Sequence, residues 1–327
     1  MKQRGPLFTA VLCFFAAVSA FSAGPAVIGI AKIVQHPALD AIEQGIQDRL
    51  AELNIRAEYD LQNANGDVGT AAQIAALYKS RRVDVAVGIA TPIAVALANT
   101  IRTSPVVFSC VTDPVAAGLV RTTEHGYRNV TGVSDAIPTV EHIRLFAETA
   151  GIRTLGYLYT SDEANSISAL ELVRQGCREA GIRLVEQSIT ESSEAKQAAE
   201  ALVQRVDGLY LTTDNTVFSA LSAVTSVFQR ARKPVFSGDV TGAMEGGIFM
   251  ASGFNYYKAG RITGDMIAEI LQGTKPAQIP VRFITDPKDS DLLINLDAAE
   301  NCGISIPEGL LNQANMVFRN GELTVRE

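Results

Sequence analysis

Short β-branched segments alternate with longer segments of helical periodicity along most of this chain, and that alternation limits the folds open to it. Strands connected through helices run parallel, and parallel sheets are covered by helices on both faces. Eight strands are predicted before residue 240, and they divide into two groups of four. In chain order they are VIGIAKI, RAEYDLQ, VDVAVGIA, PVVFSCV, TLGYLYT, RLVEQSI, DGLYLTT and PVFSGD.

Two irregular stretches, NVTGVSDAIPT at 129–139 and TGAMEGGIFMASG at 241–253, interrupt this alternation. A strongly amphipathic helix from Tyr256 to Leu271 follows the second stretch, and short strands are predicted in VRFITD and LLINLD. The layout predicts an α/β protein of two Rossmann-like lobes, whose parallel sheets flank a central cleft. Lobe 1 is predicted to contain residues 24–134 and about 254–280, and lobe 2 residues 135–253 and part of 281–327. The other helices are predicted around 38–53, 68–80, 92–101, 139–149, 166–180, 193–204 and 215–231.

The N-terminus has the composition of a secretory signal. Met1-Lys2-Gln3-Arg4 is basic, Leu7 to Val18 is mostly apolar, and small residues follow in VSAFSAG. The apolar segment is shorter than the roughly 20 residues that span a bilayer, which disfavours a membrane anchor. We therefore predict a cleaved signal peptide at residues 1–23 and a soluble periplasmic protein, with the cleaved bond left open.

Charge and cysteine content exclude several classes of protein. The formal net charge is -7, with 28 basic and 35 acidic residues, so nucleic acid and anionic membranes would be repelled. Cys110, Cys177 and Cys302 follow the signal at long spacings, which form neither a disulfide framework nor a CxxC site. We expect all three to be small buried apolar side chains.

Short polar side chains follow many of the predicted strands. Ligands of open parallel sheets gather outside the carboxyl ends of the strands, where loops lead into helices. One interpretation is helix capping, with each cap stabilising by about 1 kcal/mol. The other is a shared ligand site, with helix N-termini facing a carboxylate and Asp113, Asp214 and Asp239 facing an ammonium or hydroxyl group. Together these residues would suit a small zwitterion or a polyol.

A series of segments strongly resembles the exported substrate-binding proteins of ABC importers in the tryptophan/tyrosine-type group. The likeness runs in order from about residue 27 to GISIP near the C-terminus, with SDEANS in place of the commoner SSEANS. The segments are IVQHPALDAIEQGIQDRL, VGIATPIAVALAN, PVVFSCVTDPVAAGLV, LYTSDEANS, LYLTTDNTVFSAL, PVFSGD and NYYKAGRITGDMIAEILQG.

This resemblance implies a periplasmic binding protein of type I. Its two lobes would close on a small zwitterionic solute, an aromatic amino acid above all, and the monomer would then dock on a membrane permease. We expect the ligand carboxylate at the helix N-terminus near Pro92, its ammonium at Asp214, and its ring beside Tyr159, Phe218 or Tyr256. The residues that the resemblance places in the cleft are Gln35, His36, Thr91, Pro92, Thr112 and Asp113 of lobe 1, with Asn165, Ser166, Asp214, Asn215 and Asp239 of lobe 2.

Enzyme motifs are missing from the sequence. There is no GxGxxG after a strand, no GxxxxGK[ST], no HExxH and no GxSxG. His36, His125 and His142 have no metal-ligand spacing, and the last two are expected at the surface or as caps. We therefore expect no enzymatic activity, no cofactor and no metal. A periplasmic ligand-sensing receptor is the alternative function, with a small-molecule-processing enzyme less favoured, and no sequence feature separates importer from receptor.

Overall fold

Two β-sheets flanked by helices organise the chain in the computed structural model, which describes residues 24–245, 247–284 and 290–326. The predicted signal peptide at 1–23 lies outside the described residues. Within them, no helix combines the length and the apolar composition needed to cross a membrane. The described strands are β1 (Ala26–Lys32), β2 (Ala57–Asn63), β3 (Val85–Ile89), β4 (Val106–Ser109), β5 (Val130–Ser134), β6 (Thr154–Thr160), β7 (Arg183–Ile189), β8 (Gly208–Leu211), β9 (Val235–Ser237), β10 (Met250–Phe254), β11 (Arg282–Phe283), β12 (Ser290–Asn295), β13 (Met316–Arg319) and β14 (Glu322–Val325).

Helices cover both sheets. They begin and end close to the predicted positions, except that the predicted helix at 215–231 is interrupted at Ala220. The helices are α1 (Pro37–Glu52), α2 (Val68–Arg81), α3 (Thr91–Thr100), α4 (Thr139–Ala150), α5 (Ala164–Ala180), α6 (Ala195–Val203), α7 (Asn215–Ser219), α8 (Leu221–Arg230), α9 (Tyr256–Leu271), α10 (Leu296–Cys302) and α11 (Glu308–Gln313).

The first sheet is parallel throughout, in the order β11-β5-β4-β3-β1-β2. The second has the order β14-β13-β12-β10-β9-β8-β6-β7, and its strands from β7 to β10 are parallel. Strand β12 is antiparallel to β10. At the far edge β13 and β14 form a hairpin through Asn320 and Gly321, both with positive φ, which is the two-residue turn that matches strand twist.

Each predicted strand overlaps a strand of the structure, and the eight strands predicted before residue 240 divide four and four between the two sheets, but each sheet contains further strands. Strands β5 and β10 lie inside the two stretches that looked irregular. Each of these strands contains a glycine whose position leaves no room for a side chain. A Cβ on Gly132 would lie 2.1 Å from the Phe108 carbonyl oxygen, and a Cβ on Gly253 would lie 2.9 Å from the Gly238 carbonyl oxygen. These glycines permit close packing within a sheet, whereas in the sequence they suggested turns.

The chain passes between the two sheets at several points. Residues 135–138 lead from β5 to α4, which packs beside α5 on the second sheet. Asn255 then joins β10 to α9, which packs against α1 on the first sheet. The α1/α9 contact is very close, since a Cβ on Gly260 would lie 2.2 Å from the Ile42 carbonyl oxygen. Two lobes with several connections therefore face each other.

Two expectations about single residues need correction. His142, expected at the surface or as a cap, is buried in the second lobe, where it contacts the Tyr210 hydroxyl and the Phe236 ring. Burial lowers the pKa of His142 to about 4. Cys110 and Cys177 are buried as expected, whereas Cys302 is only partly buried; none of the three forms a disulfide.

Candidate functional site

A cavity lies between the lobes, outside the carboxyl ends of the strands of both sheets. It contains about 460 Å³ of empty space, open solvent at its mouth included. Its wall combines apolar side chains with polar groups. The lining residues are Val34, His36, Ala38, Leu39, Ala90, Thr91, Cys110, Thr112, Asp135 and Tyr256 from one side, with Asn165, Thr213, Asp214, Asn215, Phe218 and Asp239 from the other.

The first lobe presents the start of α3 to the cavity. Ala90, directly before this helix, has φ 78° and supplies no side-chain cap, so the first-turn N–H groups keep their donor capacity. The Thr91 hydroxyl hydrogen-bonds to no other described residue. Cys110, at the end of the neighbouring β4, also has a positive φ of 55°. Two non-glycine residues with positive φ therefore lie side by side in the cavity wall, and unusual backbone conformations of this kind cluster at functional sites.

Asp135 directly follows β5, and the sequence analysis did not identify it. Its Oδ1 accepts a long hydrogen bond of 3.3 Å from Thr112 Oγ1, and its own backbone N–H gives further support. Burial raises the pKa of Asp135 to about 6, with smaller contributions that include the charge of Asp239. The same two carboxylates raise the pKa of the Tyr256 hydroxyl, after burial itself. Asp135, Asp239 and Tyr256 therefore converge on one region of the cavity.

Asp214 is 1 % exposed and holds its own lobe together. Its Oδ2 accepts hydrogen bonds from Thr160 N and Ser166 Oγ, both at 2.6 Å. Its Oδ1 accepts from Thr160 Oγ1 at 2.7 Å and from Val217 N at 2.9 Å, which caps α7. A carboxylate offers about four acceptor positions. This geometry favours the capping role over the ammonium-binding role that the sequence suggested for Asp214.

Glu163 is a second buried carboxylate with fully used oxygens. Its Oε1 accepts from Thr216 N and Thr216 Oγ1, and its Oε2 accepts from Asn165 Nδ2, Asn215 N and Asn215 Nδ2. Its charge adds to burial in raising the pKa of Asp214 to about 6. Glu163 therefore fixes the ends of α5 and α7, which carry Asn165 and Asn215 into the cavity wall.

The side-chain amide of Asn165 has hydrogen-bond partners for its nitrogen but none for its oxygen among the described residues. Its Nδ2 donates to Glu163 Oε2 and to the Thr213 carbonyl oxygen, both at 3.0 Å, so two acceptors define the orientation of the amide. Its Oδ1 is buried and has no hydrogen-bond partner among the described residues. A buried amide oxygen without a donor is costly, and it indicates a missing partner at this wall of the cavity.

Asp239 and His36 face each other across the cleft. Asp239 Oδ1 accepts from Thr241 N and Thr241 Oγ1, while its Oδ2 lies 4.0 Å from His36 Nδ1. Burial raises the pKa of Asp239, and the nearby His36 opposes this shift. The His36 ring also makes an edge contact with Phe218, with a centroid distance of 5.6 Å. Among the described residues that line the cavity there is no lysine and no arginine.

The structure brings together seven of the eleven residues predicted for the site: His36, Thr91, Thr112, Asn165, Asp214, Asn215 and Asp239. Gln35 instead borders a neighbouring depression with His36 and Phe218. Asp113 borders another groove and caps the turn at Val115 and Ala116. Pro92 and Ser166 lie in the first turns of α3 and α5 and are not among the residues that line the cavity. Of the three aromatic candidates, Phe218 and Tyr256 line the cavity, while Tyr159 stacks on Tyr157.

Comparison with known proteins connects this site to a family. The family described as ABC transporter substrate binding protein matches residues 27–318. A tyrosine-binding protein of Clostridioides difficile is 31% identical over 277 residues, which cover 83% of this chain and 79% of that protein.

Among the described residues, no cluster of three or more His, Cys, Asp or Glu could hold a metal ion.

Solved structures agree with the two-lobed architecture. An ABC domain in complex with L-Trp, from Streptococcus pneumonia, superposes with a TM-score of 0.86 at 33% identity and covers 90% of this chain and 100% of that chain. A ligand-free, open substrate binding protein with adhesive properties, from Clostridium difficile, has a TM-score of 0.65 at 33% identity over 86% and 96% of the two chains. The predicted fold class, a type I periplasmic binding protein with two parallel-sheet α/β lobes, is confirmed.

Proposed function

The chain belongs to the family of ABC transporter substrate-binding proteins, and from this premise we propose that it is the exported, solute-capturing component of an importer. Its ligand is a zwitterionic amino acid with an aromatic side chain. One observation carries this proposal: both lobes line a single cavity, whose wall has carboxylates with unused acceptor positions and an uncapped helix N-terminus.

The chemistry of the cavity supports an amino acid. The N-terminus of α3 and the Thr91 hydroxyl offer donors to a carboxylate, and the buried acidic groups offer acceptors to an ammonium. Apolar residues, Leu39 and Phe218 among them, supply contact area for a ring. The relatives named above as binding tyrosine and L-Trp support the choice of an aromatic side chain.

The arrangement of the two lobes supports the capture of a ligand between them. The structure superposes better on the L-Trp complex than on the ligand-free, open protein, although the two are equally similar in sequence. Contacts across the cleft, such as the edge contact of His36 with Phe218, are made in this arrangement. A ligand that touches both walls favours the closed form by its difference in affinity for the two forms.

We further propose that residues 1–23 are a cleaved signal peptide and that the mature protein works as a periplasmic monomer beside a membrane permease. The lobes are proposed to comprise residues 24–134 with about 254–280, and 135–253 with part of 281–327. The pairing of β11 with β5 and of β12 with β10 supports a division of the tail between residues 284 and 290. The same closure could report to a sensor, so the genes beside this one distinguish import from sensing.

Indole fluorescence tests the ligand. The chain contains no tryptophan, so bound L-tryptophan is the sole indole emitter, and its emission should shift to shorter wavelength in the cleft. Native mass spectrometry should show one L-tryptophan or L-tyrosine per chain, released unchanged. Retention of sugars but no amino acid would contradict the proposed ligand class, and conversion of the ligand would support an enzyme instead.

A further inference from the structure

Three acceptors in the cavity differ from the other polar groups around them because the protein does not saturate them. Asn165 Oδ1 is the first: Asn165 is only 3 % exposed, and this oxygen accepts no hydrogen bond within the described chain. The amide cannot be reversed to avoid the problem, since its Nδ2 already donates to Glu163 and to the Thr213 carbonyl oxygen. A hydrogen-bond donor is therefore the partner that this position lacks.

The Asp135 carboxylate is the second. A single long hydrogen bond, 3.3 Å from Thr112 Oγ1, is its side-chain partner among the described residues. The third is Asp239 Oδ2, whose near neighbour is His36 Nδ1 at 4.0 Å, beyond hydrogen-bond distance. His36 Nδ1 is itself engaged, since it accepts from Ala38 N at 3.3 Å as the cap of α1.

The two saturated carboxylates provide the contrast. Asp214 and Glu163 each accept at least four hydrogen bonds from their own lobe, so neither has a position left for a ligand. Thr112 Oγ1 and Thr213 Oγ1 lie 3.3 Å apart and connect the Asp135 side of the cleft to the Asn165 side. Asp135 directly follows β5 of the first sheet, whereas Asn165 and Asp239 follow strands of the second sheet. A group placed between the three acceptors therefore contacts both walls of the cleft.

We propose that Asp135, Asp239 and Asn165 Oδ1 form the subsite for a primary ammonium group, with Asp135 as its principal ion partner. An ammonium carries three N–H donors and a positive charge, and the subsite offers acceptors with net negative charge. This inference deepens the proposed function and rests on it, because it assigns the amine end of the amino acid to a place in the cleft.

A consequence for specificity follows from the charges. No lysine or arginine is among the described lining residues, and the one histidine among them, His36, lies 4.0 Å from Asp239 Oδ2. A ligand without a cationic nitrogen therefore leaves the buried Asp135 carboxylate uncompensated. The amine is therefore the end of the ligand that the site requires most strongly. Ligands with an additional negative charge, such as L-glutamate, should be rejected.

Calorimetric titration with three ligands tests the subsite. L-tryptophan has both charged ends, indole-3-propionate lacks the ammonium, and tryptamine lacks the carboxylate. Wild-type protein should bind L-tryptophan at least about 100-fold more tightly than indole-3-propionate, since a charged hydrogen-bonded group is lost. Asp135→Asn should lower the affinity for L-tryptophan and for tryptamine by at least about tenfold, and it should not lower the affinity for indole-3-propionate. Asp162→Asn removes an exposed carboxylate near α5 and should change no affinity by more than about twofold.

The Asp135→Asn variant separates a loss of ligand binding from a loss of folding. Asn has the shape of Asp, and Asp135→Asn should not lower the unfolding temperature, because it removes a buried charge. An Asp135→Asn protein that unfolds normally and binds L-tryptophan within about twofold of wild type would overturn the subsite and leave the amino-acid site intact. Equal wild-type affinity for indole-3-propionate and L-tryptophan would also overturn it. A wild-type protein that binds neither aromatic amino acids nor tryptamine would overturn the proposed function together with the subsite.

Discussion

The hydroxyl oxygens of Thr112 and Thr213 lie 3.3 Å apart across the cleft, and each belongs to a different lobe. Thr112 also donates towards Asp135, while the backbone of Thr213 accepts from Asn165. One hydrogen-bonded chain therefore runs from the first lobe to the second along the cavity wall. The closed form is stabilised by such contacts together with whatever molecule fills the space between them.

Thr213→Val should weaken the closed form modestly. The change preserves the shape of the side chain and removes the hydroxyl that meets Thr112, a long and therefore weak contact. We expect L-tryptophan to bind about two- to fivefold more weakly, mostly through faster dissociation, because such a bond contributes about 0.5–1 kcal/mol. Stopped-flow fluorescence measures this rate. Thr324→Val on the exposed β14 should behave as wild type, and an unchanged rate in Thr213→Val would remove the contact from the closure mechanism.

Ligand affinity should depend on pH through Asp135. Burial raises the pKa of this carboxyl to about 6 in the empty cavity, and a bound ammonium would favour the ionised form. Protons and ligand therefore compete, so affinity should be steady above about pH 7 and fall as pH decreases through 6. Titrations between pH 5 and 8 measure this slope. Cys110, Tyr256 and Asp239 also face the Asp135 carboxyl. The dependence of affinity on pH should therefore become shallower, rather than vanish, in Asp135→Asn. Affinity that rises on acidification would contradict the prediction.

Asp214→Ala should act on folding more than on binding. The change leaves the N–H groups of Thr160 and Val217 and two hydroxyl groups without their acceptor inside the second lobe. We expect a loss of about 3–5 kcal/mol in the free energy of unfolding, measured by urea denaturation. Asp162→Ala, at an exposed position nearby, is the control and should lose less than about 0.5 kcal/mol. Normal stability combined with abolished binding would restore the ligand-binding role for Asp214.

Gly260→Ala should separate α9 from α1. The added Cβ would lie 2.2 Å from the Ile42 carbonyl oxygen, and backbone cannot move aside as a flexible side chain can. We expect a loss of about 1–3 kcal/mol or more in unfolding free energy. Gly309→Ala in α11 has no atom within 4 Å of the new Cβ, so it should be neutral or stabilise by about 0.5–1 kcal/mol. Equal effects of the two substitutions would show that the α1/α9 contact tolerates a methyl group.

His142→Phe should reduce acid sensitivity. Burial lowers the pKa of His142 from 6.5 to about 4, so the unfolded chain binds a proton before the folded protein does. The His142 ring adds no pH dependence to the free energy of unfolding above pH 6.5, and it lowers that free energy as the pH falls from 6.5 towards 4. Thermal unfolding should therefore favour the variant increasingly between pH 7 and pH 5, by up to about 2 kcal/mol at pH 5. A difference independent of pH would contradict this. At neutral pH the variant also loses the contact with the Tyr210 hydroxyl.

The sequence predicted the alternating architecture because β-branched strands and amphipathic helices have distinct periods. It missed β5 because Gly132 and its small polar neighbours suggested a turn, whereas the close approach of Phe108 requires a glycine inside the sheet. That omission also hid Asp135. The rule that ligands gather at the ends of parallel strands could not be applied to a strand that had not been recognised.

Other parts of the site gave no chemical signal in the sequence. Ala90 and Cys110 are small residues whose positive φ angles appear only in the folded backbone. Asp214 matched the family pattern, but a sequence does not show how many donors surround a carboxylate. The number of free acceptor positions, which separates Asp135 from Asp214, is a property of the tertiary structure.

A crystal structure of the protein with L-tryptophan tests the central claim most directly. The ligand is predicted between the lobes, with its ammonium within hydrogen-bond distance of Asp135 and Asn165 Oδ1 and its carboxylate at the start of α3. An amino acid bound outside this cleft, or one whose ammonium faces away from Asp135, would contradict the account.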